Sequence, residues 1–285
     1  MLTIDTNWKR FLEKGDEPSF SFIYNTHADD LYAYGISLGF QKETCKDAIQ
    51  DTFYKLYISK DNLKHVENVT AYIFKHFKYR FSGDSTFYHI AVSHADNTIK
   101  NHYRPNYSTW HVIDYSKTDG SVRHRNTHQG YADESSWSRG QSWGVYGYVL
   151  CYRKTKNPAY LAQAEKALDF IATHPNYPED GIPYWDFDAP DIPNTYRDTS
   201  AASILASALY EISTYSDKKN YKEWADKIMA SLSGPDYRAE TGENGFFILM
   251  HAVGSLPHNL EVDVPLNYGD YYFLEALKRK RDLEI

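Results

Sequence analysis

The sequence predicts an all-α protein whose larger part is an α/α toroid. Three observations carry that class. Apolar residues recur at helical spacing from residue 19 to near the C-terminus, and no convincing strand alternation interrupts them. From residue 83 on, short and long loops alternate between helices, as they do when helix pairs stack into a ring. At Ser82-Gly-Asp84 the chain changes character without a flexible linker, which divides it into residues 1–81 and residues 83–285.

The first helix expected carries Phe22, Ile23, Leu31, Tyr34 and Leu38 at helical spacing. In the second, Asp47 to Tyr57, the residues Ala48, Ile49, Phe53, Leu56 and Tyr57 share a stripe. A third stripe runs through Val69, Tyr72, Ile73, Phe77 and Phe81, with Asn68 as its cap. Beyond the seam the helices expected are Phe87 to Asn101 with Asp84 as cap, Trp143 to Thr155, and Ala159 to Thr173. Ser200 to Tyr215, Tyr221 to Leu232 and Asp270 to Arg281 complete the set.

Composition is that of an ordinary globular protein, with 42% hydrophobic and 24% charged residues. Aromatics reach 16%, including 26 tyrosines and six tryptophans. Such rings suit sugar-stacking surfaces and aromatic-rich helical cores equally. Residues 1–81 hold 11 basic and 11 acidic side chains, so the remainder carries the whole net charge of −7. That balance excludes a strongly basic nucleic-acid surface, and sequence-specific DNA binding is not expected. Cys45 and Cys151 fit no metal spacing and no disulfide framework, so they read as free thiols. The N-terminus lacks an apolar signal core and no stretch is long enough to span a membrane, so a cytoplasmic location is expected. No metal and no cofactor is expected.

The chemistry gathers in loops. The run from Thr127 to Trp143 packs His128, Gln129, Arg139 and two tryptophans into one loop-to-helix junction. A helix starting near Arg139 places Arg139 and Trp143 on one face. A guanidinium can grip a carboxylate bidentately, and an indole can stack on a sugar ring. Gly140 allows a ligand or neighbouring helix to approach closely. By itself such a cluster is as often a buried polar network as a binding site.

Two resemblances bear on that choice. The run just described, with Pro183-Tyr-Trp-Asp-Phe-Asp188, Arg197-Asp-Thr-Ser-Ala201 and Pro265 to Leu277, resembles glycoside hydrolase family 88 over residues 83–285. The resemblance implies the C-terminal part of an (α/α)6 toroid. It also implies an enzyme that removes the unsaturated uronic acid left on glycosaminoglycan fragments by polysaccharide lyases, so the partner expected is an unsaturated uronic-acid disaccharide or oligosaccharide. Carried over residue by residue, it places His111, His128, Gln129, Arg139 and Trp143 in the substrate site, with Trp110 as a further stacking wall. The family hydrates the C4=C5 double bond using a carboxyl group as acid and then base. That aspartate stands in an Asp-Asn-Met-Met-Asn type helix start, with a second aspartate further upstream, and neither motif occurs here. No catalytic residue is therefore assigned, and impaired catalysis is expected. Asp133 and Glu134 lie near the site in sequence but read as loop capping.

Residues 1–81 resemble region 2 of the extracytoplasmic-function sigma factors. The carriers are Ala28-Asp-Asp-Leu-Tyr-Ala-Tyr-Gly35, Asp47-Ala-Ile-Gln-Asp-Thr-Phe53 and Val66-Glu-Asn-Val-Thr-Ala-Tyr-Ile-Phe74. This implies RNA polymerase as a partner, and the alternative functions are a truncated polymerase-binding module or a non-functional fusion.

Overall fold

A computed structural model describes residues 3–284 except 38, 65, 67, 83–85, 218 and 219. Leu38, Gly83 and Asp84, and with Asp84 the cap expected there, lie outside the described residues. The chain divides into two compact units, Met1–Val92 and Ser93–Ile285. The division falls inside a helix.

The first unit contains α1 (Ile4–Lys14), α2 (Glu17–Ser37), α3 (Lys42–Ile58) and α4 (Val69–Ser82). Thr3 caps α1 by accepting from the Thr6 N–H, and Gly15 ends it in the left-handed region at φ 65°. Asn68 caps α4 through the Ala71 N–H at 2.9 Å, as its sequence position predicts. Trp8, Phe11, Ile23, Leu31, Ile49, Phe53, Ile73 and Phe77 are buried together, each worth about 1.5–3 kcal/mol of transfer from water. The Trp8 indole N–H donates to Val66 O at 2.8 Å and ties α1 to the chain before α4.

Helix α5 (Thr86–His102) crosses from the first unit into the second, which continues with α6 (Ser138–Thr155), α7 (Pro158–Thr173), α8 (Thr199–Ile212), α9 (Asn220–Leu232) and α10 (Asn267–Glu284). Every residue of α8 is buried. Ala201, Ala202, Ala206 and Ala208 keep its surface small, so α6 packs on one side, α10 on another and α9 on a third. Helix α7 packs on α6. The row α6, α8, α10 with α7 and α9 outside it is an arc of an α/α toroid.

The all-α expectation needs correcting in one respect. Strand β1 (Val112–Tyr115) pairs antiparallel with β2 (Val122–Asn126), and β3 (Ala252–Ser255) pairs antiparallel with β4 (Leu260–Val264). Strands of four or five residues carry too few alternations to stand out in sequence. Both hairpins lie where long loops were expected. No helix of the described residues is long and apolar enough to cross a membrane.

Candidate functional site

The N-terminal ends of α6, α8 and α10 meet the β3–β4 hairpin, and most of the residues singled out in sequence converge there. Asp198 caps α8 by accepting at Oδ1 from Ser200 N–H at 3.1 Å and from the Ser200 hydroxyl. Its other oxygen accepts from Arg139 Nη1 at 2.7 Å, with both side chains buried. The Arg139 guanidinium also donates to Val253 O and, at 2.7 Å, to Gly254 O. It lies 4.6 Å from the Trp137 ring centre and 5.5 Å from that of Tyr268 on α10. Arg139 thus fastens α6, α8 and strand β3 at one point.

Gln129 reaches the same strand, its amide donating to Gly254 O at 2.8 Å. Gly254 is required there, because a Cβ would stand 2.4 Å from the Glu261 carboxylate. Gly140 is required too, for a reason other than ligand approach: a Cβ there would meet the Trp137 indole at 2.8 Å.

His111 is half-buried and stacks on Trp137 with ring centres 4.3 Å apart. Its Nδ1 accepts the backbone N–H groups of His128 and Gln129 at 3.1 and 3.2 Å. Burial, with His128 and Arg139 nearby, pushes its pKa down to about 4. His128 is exposed and faces His258 on the hairpin at 4.4 Å, and Ser255 Oγ lies 2.7 Å from His258 Nδ1. Trp143 stands one turn along α6 from Arg139, half-buried and edge-on to Tyr146 and Tyr272. Four of the five predicted residues therefore form a connected group, with Arg139 beneath, His111 and Gln129 at half depth and His128 at the surface. Trp143 is joined to that group along α6.

Trp110 behaves differently from the stacking wall expected. Arg104 and Arg125 lie 4.8 and 4.6 Å from its ring, and its N–H donates to Glu134 at 3.3 Å. Asp133 accepts the Thr127 N–H at 2.9 Å and so caps its own loop, whereas Glu134 reaches back to the Trp110 indole and the Arg104 guanidinium. Sequence reasoning passed over Trp137, Asp186 and Asp198. Asp198 was legible as an Asp before a helical Ala-rich run. Asp186 was not: only the fold brings its buried carboxylate to the Tyr131 N–H at 2.9 Å and the Ser135 hydroxyl at 2.7 Å.

The chain is similar to proteins of known family. The chain is 49% identical over 204 residues to an unsaturated glucuronyl hydrolase of Formosa agariphila, covering 72% of this chain and 51% of that protein. It is 34% identical over 208 residues to the Bacillus sp. enzyme of the same name, covering 70% and 53%. The chain thus spans about half the length of the sequence relatives it matches. Among solved structures, an unsaturated glucuronyl hydrolase specific for heparin superposes with a TM-score of 0.67 at 36% identity, over 98% of this chain and 72% of that one. A Streptococcus agalactiae glucuronyl hydrolase variant, complexed with an unsaturated sulfated disaccharide, gives 0.64 at 25% identity, over 98% and 79%. No family model matches the chain. The sigma-factor resemblance of residues 1–81 finds no support among these relatives.

Proposed function

The chain belongs to the unsaturated glucuronyl hydrolase family, and from that membership we propose that it binds the unsaturated uronic acid at the end of a glycosaminoglycan fragment. The observation that carries this reading is the His111–Trp137–Arg139 stack, fixed at the mouth of α6 beside Gln129 and the β3–β4 hairpin. His128, Gln129 and Trp143 offer polar and aromatic surface to the sugar, and His111 offers a ring nitrogen. Arg139, ion-paired to Asp198 and donating to the β3 carbonyls, fixes the floor on which these groups stand.

The reaction that the family resemblance implies is hydration of the C4=C5 double bond, after which the hemiketal opens and releases the neighbouring sugar. That step requires a carboxyl able to give a proton to C4 and then take one from water adding at C5. Asp133 and Asp198 are committed to a loop amide and to Arg139, and Asp186 to a backbone amide and a hydroxyl. On this reading the chain binds its ligand with little or no turnover.

Titration calorimetry with an unsaturated chondroitin or heparin disaccharide tests the binding, and loss of the double bond's absorbance tests the turnover. Binding with slow or absent turnover is the expected result. Absence of binding at millimolar ligand overturns the first part. Rapid loss of absorbance that persists in Asp133→Asn overturns the second.

A further inference from the structure

Backbone N–H groups can only donate, so the two that converge on His111 Nδ1 require a lone pair there. A proton on Nδ1 would face both N–H dipoles at about 3 Å and lose both hydrogen bonds. The ring's one hydrogen therefore sits on Nε2. The charged and titratable groups facing the ring are His128, His102 and Arg139, all of which disfavour a second proton.

The two amides converge because the turn that carries them is pinned on both sides. Thr127 N–H donates to Asp133 Oδ1 at 2.9 Å, and Gly130 N–H donates to Thr127 Oγ1 at 2.8 Å. Tyr131 N–H donates to Asp186 Oδ2 at 2.9 Å. The same Asp186 oxygen accepts the Ser135 hydroxyl, and its other oxygen accepts the Asp188 N–H at 2.9 Å. Gly130 leaves room for this, since a Cβ would stand 2.6 Å from Thr127 Oγ1 and 3.0 Å from Asp186 Oδ2.

We propose that Asp133 and Asp186 are positioning residues that pin the 127–131 turn and thereby hold His111 as the neutral Nε2–H tautomer. In that form His111 is a fixed hydrogen-bond donor and neither a general base nor a cation. An acceptor oxygen of the uronic acid is its partner, and that clause alone rests on the binding reading above. The tautomer itself does not depend on any ligand.

Two-bond 1H–15N spectra of the full chain labelled at histidine read the tautomer directly, between about pH 5 and about pH 8. His111 should show the Nε2–H pattern throughout. Asp133→Ala removes the acceptor from an exposed position, and it should convert the His111 signals to a mixture of tautomers and raise the pKa by about one unit or more toward the ordinary ~6.5. Asp133→Asn keeps an acceptor oxygen and should restore the wild-type pattern. Asp186→Asn tests the buried side, with circular dichroism confirming the fold. An Nδ1–H or doubly protonated His111 in the wild-type protein at pH 6 overturns the proposal. So does an unchanged pattern in both Asp133→Ala and folded Asp186→Asn. If the wild-type pattern is as expected but no disaccharide binds, the binding reading fails and the tautomer lock stands.

Discussion

Arg139 and Asp198 form an ion pair at 2.7 Å with side-chain exposures of 3% and 0%, joining the first turn of α6 to the cap of α8. A charge pair that deep offsets its own desolvation only when its remaining hydrogen-bonding capacity is filled. Here it is: Arg139 adds two carbonyls of β3, and Asp198 adds the Ser200 backbone and hydroxyl. Asp198→Ala strips α8 of its cap and leaves a buried guanidinium uncompensated, so it should lower unfolding free energy by about 3–5 kcal/mol. Denaturant midpoints measure this. A loss below about 1 kcal/mol would mean that water reaches Arg139.

Replacing Gly254 should disturb the same strand from the other end. A methyl group at 254 collides with Glu261 on β4, and the hairpin must shift to admit it. The Gly254 carbonyl, which accepts from both Arg139 and Gln129, moves with it. Gly254→Ala should cost about 1–3 kcal/mol in stability and weaken disaccharide binding in parallel. Unchanged affinity would separate the hairpin from the site.

These two residues also mark what the sequence could and could not display. The cap of α8 is local, an Asp ahead of a helical run rich in small and apolar residues, and so the helix is visible in the one-dimensional pattern. The same holds for α7 and α9. Helix α1 was equally local, with Thr3 and Gly15 as its stop signs, yet it lay outside the stripes read. The hairpins are different. Val112–Tyr115 and Leu260–Val264 are short, too short for their own alternation to stand out, and each is held by pairing with the neighbouring strand of its hairpin. Four of the five candidate site residues could be named together because they share one contiguous run, Thr127 to Trp143. Their division of labour could not, because the acceptors that bury Arg139 (Asp198 and the carbonyls of Val253 and Gly254) come from segments far along the chain.

The depressed pKa of His111 gives stability a pH dependence of definite sign. Unfolded, the ring binds a proton below about pH 6.5. Folded, it stays neutral down to about 4. Between those values the unfolded chain binds more protons, so stability falls as pH falls, at up to about 1.4 kcal/mol per pH unit for one site. Above about 6.5 the contribution is flat. Urea midpoints measured across this window for wild type and His111→Gln should differ in slope, with the variant flatter. Identical slopes would show that His111 titrates normally in the folded protein.

Trp143 separates a packing role from a binding role. Its ring is edge-on to Tyr146 and Tyr272, whose hydroxyl-bearing rings remain when the indole is removed, and it is only half-buried. Loss of a face that stacks on a sugar should weaken disaccharide binding about tenfold, or ~1.4 kcal/mol, in Trp143→Ala. Trp143→Phe keeps an aromatic face and should recover much of that affinity. Stability should fall in both variants, but by less in the second, because Phe still packs against Tyr272. Calorimetric affinity and the thermal midpoint, taken on the same samples, distinguish the roles. A Trp143→Ala protein that melts lower but binds as tightly as wild type would place the indole in the wall of the helix arc and outside the sugar's reach.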